Sequence, residues 1–155
     1  MLDEKHIQAG IFAEVPNFAR YVFFDLAKDV NASKIQKSLR TIAPRPYSMD
    51  VVAGIGLQTT QLVGYKIEGL REFAALQTKM PPGQAAIGIP TTPTALLLWL
   101  RGDEPAALVR LEKTLTQQLS GAFAWRESLA AFKHTKGRSK VGRDLTGYED
   151  GTENP

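Results

Sequence analysis

The chain has 155 residues and a mass of 17.0 kDa, enough for one domain with a substantial core. Apolar residues make up 43% and charged residues 23%, which excludes a disordered or fibrous chain, and a net charge of +3 is too small to imply nucleic-acid binding. Cysteine is absent and histidine occurs only at His6 and His134, so disulfides, thiolate nucleophiles, iron–sulfur clusters and an all-histidine metal cage are excluded.

The opening MLDEKHIQAG has no apolar run and does not read as a secretory leader. The most apolar stretch, Thr94 to Leu100, is too short to cross about 30 Å of hydrocarbon and reads as a buried strand. No membrane association is expected, and a cysteine-free chain without a leader suits a reducing cytoplasm.

Residues 1–18 read as an N-terminal arm closed by Pro16. Residues 19–27 are β-branched and aromatic and predict a first strand. Asn31-Ala-Ser33 offers cap chemistry for a helix over 33–42, where Ile35, Leu39 and Ile42 form one apolar stripe. Residues 49–57 predict a second strand, 61–65 a short helical turn, and 95–101 a third strand. Glu104-Pro105 starts a helix whose stripe is Leu108, Leu111, Leu115 and Leu119, with Gly121 as its expected C-cap. Residues 122–132 predict a fourth strand anchored by Phe123, Trp125 and Phe132. Strand, helix, strand, strand, helix, strand is the ferredoxin-like α+β plan: an antiparallel sheet with both helices on one face. This domain spans 19–133, and its helix-free face needs a cover.

Few segments carry chemistry. Gly54-Ile-Gly56 follows a strand, but the third glycine of a dinucleotide fingerprint would fall on Thr59, so a tight strand exit is favoured. His134 reads as a surface histidine. Lys133, Lys136, Arg138, Lys140 and Arg143 lack interleaved aromatics and read as a solvated loop. Phe12, Phe18, Tyr21, Phe23 and Phe24 read as core or interface. The informative segment is Arg143 to Pro155, RDLTGYEDGTENP, within a loop over 134–155. Gly147 and Gly151 flank Asp150, a spacing that holds a carboxylate on a tight turn. From spacing alone, an Asx-type turn in DGTENP is favoured over a ligand site. Glu149, Asp150 and Glu153 lack the ligand spacing of a calcium loop.

GYEDGTENP resembles the G-x-x-D-G fingerprint of the dye-decolourising peroxidases, with Gly147, Asp150 and Gly151 on its fixed positions. Thr152 to Pro155 is similar to the extension in the compact bacterial B-type subgroup. Ala19 to Phe24, Pro90 to Pro93 with the following TALLLWLRG, and Arg143 to Thr146 look like the matching segments of that family. The resemblance runs from about Gln8 to Pro155.

The resemblance implies the N-terminal half of a two-lobe enzyme of the dimeric α+β barrel type. It implies haem b as cofactor, hydrogen peroxide as oxidant, and dyes and phenolic compounds as small organic reductants. Asp150 is then the distal acid–base residue, and Gly151, Thr152, Glu153 and Asn154 approach the haem. Glu153 could also help to bind a manganous ion. The family's proximal histidine and distal arginine lie beyond its fingerprint, so no iron ligand is expected in this chain, and the isolated chain is expected to be inactive. A homo-oligomer and an encapsulating shell protein are further expectations. The alternative is a ferredoxin-like oligomerisation or binding module without catalysis of its own.

Overall fold

A computed structural model describes residues 8–42, 50–72, 82–83, 88, 92–134 and 142–149. After a short 3-10 helix at Ala9–Ile11, the elements are β1 (Phe18–Leu26), α1 (Ala32–Ile42), β2 (Val51–Ile55), α2 (Leu57–Leu62), β3 (Leu96–Gly102), α3 (Pro105–Leu119) and β4 (Phe123–Phe132). The four strands form one sheet in the order β2-β3-β1-β4, antiparallel throughout. This is the ferredoxin-like arrangement predicted from the order of elements, with the short α2 added between β2 and β3.

Strand alternation divides the sheet into two faces. Val22 and Phe24 on β1, and Leu96, Leu98 and Leu100 on β3, are buried with Ile35, Ile42, Leu108, Leu115, Leu119 and Phe123 in one core. The stripes on α1 and α3 therefore pack as their spacing predicts. Asn31 caps α1: its Oδ1 accepts the Lys34 N–H at 3.0 Å, so the helix begins at Ala32. Across the same face, Arg20 Nε donates to Glu112 Oε2 at 2.5 Å and Arg20 Nη2 to Ser128 Oγ at 2.8 Å.

The opposite face carries Tyr21, Phe23, Val52, Leu97, Trp99 and Arg101, as the register of β1, β2 and β3 requires. Tyr21 and Trp99 stack with centroids 6.1 Å apart. Arg101 lies over the Trp99 ring at 4.7 Å and is only 4% exposed. It donates to the carbonyls of Gly10, of Ala13 at 3.0 Å and of Glu14 at 2.6 Å, so it ties the arm to this face. Gln8 adds a second tie, accepting from Ala53 N–H at 2.7 Å and donating to Ala53 O at 2.8 Å.

Three local expectations are corrected. The second strand ends at Ile55, and the helix that follows is 57–62. Gly56 explains the break: its N–H donates to Ala95 O at 2.9 Å, and a Cβ there would lie 1.8 Å from Thr94 O. The glycine is steric, as a strand exit requires. Gly121 is not the C-cap of α3; Ser120 holds that place with φ −56°, and Ala122 N–H closes the turn on Leu119 O at 2.9 Å. A right-handed end with a buried Ala122 needs no left-handed residue. On β4, Phe123 is 1% exposed, but Trp125 is 51% and Phe132 66% exposed. β4 is an outer strand, so its helix-side residues have neighbours on one flank only. Among the aromatic group, Phe24 joins the core, whereas Phe12 is exposed.

Candidate functional site

β4 leads through His134 to a hairpin over residues 142–149. Arg143 N–H donates to His134 O at 2.7 Å, which anchors the hairpin to the end of the strand. Arg143 and Glu149 form an isolated antiparallel bridge. Asp144 organises the turn between them. Its Oδ1 accepts from Thr146 N–H at 2.9 Å, Thr146 Oγ1 at 2.7 Å and Tyr148 N–H at 3.0 Å. Asp144 N–H donates to Tyr148 O at 3.0 Å, and Gly147 adopts φ +96°, a region that favours glycine. The Thr146 hydroxyl first, and then the amides of Tyr148, Thr146 and Gly147, hold the Asp144 carboxyl below its ordinary range, against an opposing desolvation that outweighs each amide taken singly.

Arg143 closes the hairpin. Its Nη1 donates to Gly147 O at 2.7 Å and its Nη2 to Glu149 Oε1 at 2.7 Å. The sequence reads Arg143 as one of a solvated basic run, whereas its guanidinium is engaged within the hairpin. The missed signal is its spacing of four and six from Gly147 and Glu149, which suits a guanidinium fork closing a turn. Asp144 forms an Asx turn of its own, and the one expected in DGTENP lies outside the described residues. Asp150, Gly151, Thr152, Glu153 and Asn154 lie outside the described residues, as do Lys136, Arg138 and Lys140.

A cleft of about 480 Å³ lies between the arm and the hairpin. Val15 and Pro16 form one side, Arg143, Asp144 and Leu145 another, and Tyr21 and Trp99 are among the lining residues. Trp99 Nε1 is buried and has no hydrogen-bond partner among the described residues, an uncommon state for an indole N–H. Lys133 and His134 also line the cleft. Stacked rings beside the basic side chains of Lys133 and Arg143 suit a flat ligand carrying an acidic group. His134 is exposed and meets the Phe132 ring edge-on at 6.4 Å. Among the described residues, no group of three or more His, Asp or Glu side chains could hold a metal ion. No helix among them is long and apolar enough to cross a membrane.

No family model and no curated protein matches the sequence. The fold is shared with solved DyP-type peroxidases, and this chain has the architecture of one half of such a structure. A structure from Shewanella oneidensis described as a DyP-type peroxidase aligns with TM-score 0.69 at 24% identity, over 92% of this chain and 46% of its own. The encapsulated DyP-type peroxidase from Mycobacterium smegmatis gives 0.64 at 22%, over 94% and 47%. DyPB from Rhodococcus jostii gives 0.66 at 19%, over 96% and 48%. The chain thus spans about half the length of the solved structures it matches. Variants of the R. jostii protein are also solved in complex with heme, and a DypB variant in complex with manganese.

Proposed function

We propose that this chain is the distal-side half of a haem peroxidase, in which the 150–155 loop carries the acid–base residue and faces the cofactor. The observation that carries the reading is the hairpin: it ends at Glu149, one position before Asp150, and it is fixed at both ends by Arg143. A loop that must hold a carboxylate at a reacting atom needs such a rigid base. The division into an arm over 1–18, a domain over 19–133 and a fingerprint loop over 134–155 is part of the same reading.

The described surroundings fit a flat, acid-edged group on one side. Tyr21 and Trp99 offer stacked rings, and Lys133 lines the same cleft. Gly151, Thr152, Glu153 and Asn154 are assigned to the haem side of the loop. Haem, when bound, supplies the redox chemistry by which peroxide is reduced. Asp150 accepts a proton from peroxide and returns it to the departing oxygen, which a carboxylate with an ordinary pKa of ~3.9 performs best in mild acid. Dyes and phenolic compounds are the assigned reductants, and Glu153 is the carboxylate assigned to a manganous ion. The encapsulated M. smegmatis neighbour supports a shell protein as a partner. A homo-oligomer and a cytoplasmic location complete the proposal.

Spectroscopic titration of the full-length protein with haem tests this reading. A saturable Soret band at one haem per chain, with peroxide-dependent oxidation of a phenolic reductant, is the expected result. A protein that assembles normally but takes up no haem would replace it with the binding-module alternative.

A further inference from the structure

Two carboxylates follow one another at the exit of the hairpin, Glu149 and Asp150. Adjacent Cα atoms lie ~3.8 Å apart, so a Glu and an Asp in succession keep their carboxylates within ~10 Å whatever turn the chain takes. That is about one Debye length at physiological salt, so each carboxylate feels the charge of the other. A second negative charge at that range disfavours ionisation and raises the pH at which a carboxylate takes up its proton. Glu149 does not stand beside Asp150 as a bare charge: its Oε1 accepts from Arg143 Nη2 at 2.7 Å, between partly sheltered side chains.

We infer that Arg143 is a positioning residue for the acid–base step: it neutralises Glu149 and so sets the pH at which the next carboxylate, Asp150, holds its proton. The inference rests on the proposed role of Asp150. The turn itself is held by Asp144, whose Oδ1 accepts from Thr146 N–H, Thr146 Oγ1 and Tyr148 N–H, and by Arg143 Nη1 on Gly147 O. Arg143 Nη2 reaches past that turn to the residue before Asp150. The main chains of Arg143 and Glu149 form a bridge, which keeps the two charges at fixed range. The other charged and titratable groups beside Arg143 are Asp144 on the hairpin and Lys133 and His134 where β4 ends. They are common to every variant compared below, so their fields cancel in the differences.

The sign of each effect follows from the charge that is left over. Without the guanidinium, Glu149 is uncompensated and Asp150 takes up its proton at higher pH. Without the Glu149 charge, the guanidinium is uncompensated and Asp150 takes up its proton only at lower pH. At ~8 Å and an effective dielectric constant of ~60, one such charge moves the midpoint by ~0.5 pH units. A clasp that acted only by holding the hairpin would behave differently. Loss of either partner would loosen it, so both variants would shift in the same direction.

Carbon-13 NMR titration of the Asp150 carboxyl in the full-length protein tests the inference without haem, the signal being assigned by its absence in D150N. R143Q is expected to raise the midpoint by ~0.5 pH units and E149Q to lower it by a similar amount. The double variant R143Q/E149Q is expected to return it close to that of the unsubstituted protein. In ~1 M salt, where the Debye length is ~3 Å, both single shifts should shrink. Should R143Q open the hairpin, seen as lost protection of the Tyr148 amide, E149Q decides, because glutamine keeps an acceptor for the fork. Single variants that shift in the same direction, or an unmoved midpoint in E149Q, would overturn the inference. In the haem-loaded protein the acid limb of peroxide turnover should follow the same shifts. Midpoints that move as expected beneath an unmoved limb would overturn the acid–base role of Asp150 and leave the charge relation between Arg143, Glu149 and Asp150 standing.

Discussion

Arg143 Nη2 meets Glu149 Oε1 at 2.7 Å, closing the hairpin one residue before Asp150. The fork also holds Gly147 O at 2.7 Å, so one guanidinium fixes both the turn and its exit. Hydrogen bonds from a charged donor contribute ~1.5–3 kcal/mol each when sheltered, and Arg143 is about a quarter exposed. Arg143→Ala is therefore expected to lower the opening free energy of the hairpin by about 1–2 kcal/mol. Amide exchange at Tyr148 and Gly147 measures it. Arg143→Lys should recover little, because an ammonium cannot span both acceptors.

Asp144 gives the hairpin a pH dependence. Its folded-state carboxyl titrates below the ordinary value of 3.8, chiefly through the Thr146 hydroxyl. A depressed folded pKa adds stability that is present above the unfolded value and is lost as pH falls through the folded one. The hairpin should therefore stay ordered down to about pH 3.8 and open below it. NMR shifts of the Thr146 and Tyr148 amides report the transition. Asp144→Asn should remove that step, and an unchanged transition in that variant would exclude Asp144 as its source.

Two ion pairs on the helix side should differ in weight. Arg20 and Glu112 lie at 2.5 Å with side chains 20% and 11% exposed, whereas Arg110 and Glu104 lie at 3.6 Å and are mostly exposed. Glu112→Ala strips a sheltered guanidinium of its partner and is expected to cost about 2–3 kcal/mol. Glu104→Ala is expected to cost under ~0.5 kcal/mol. Urea denaturation of the two variants compares them directly.

Two glycines offer a matched test of steric demand. An alanine Cβ at Gly56 would sit 1.8 Å from a backbone oxygen, while one at Gly121 meets nothing within 4 Å. Gly56→Ala should force the β2–α2 junction away from the Thr94–Ala95 backbone that leads into β3 and destabilise by about 2 kcal/mol or more. Gly121→Ala should be neutral or stabilise by up to ~1 kcal/mol through the unfolded chain. Equal melting temperatures for the two variants would contradict the close approach at Thr94.

The sheet and its two long helices were legible because their signals are local. Ile35, Leu39 and Ile42 recur on one helical face, and Asn31 announces its cap. The end of β2 was not legible, since the reason Gly56 is a glycine is Thr94, distant in sequence. Trp125 and Phe132 were misplaced for a related reason: an aromatic residue in a strand shows its face but not whether that strand lies at an edge. At the candidate site, composition and periodicity carried nothing about haem. The resemblance supplied Asp150 and its neighbours, while Arg143, Tyr21 and Trp99 came into view only once the sheet brought the arm, the strands and the hairpin together.

The central claim rests on the Asp150 carboxylate, and Asp150→Asn in the full-length, haem-loaded protein addresses it. Asparagine keeps the size and polarity of the side chain and removes its capacity to accept and return a proton. The account predicts an unchanged Soret band and a fall of ~10²–10⁴-fold in peroxide turnover, with loss of the acid-side pH dependence. Turnover and pH profile equal to those of the unsubstituted protein, with the same haem content, would contradict it.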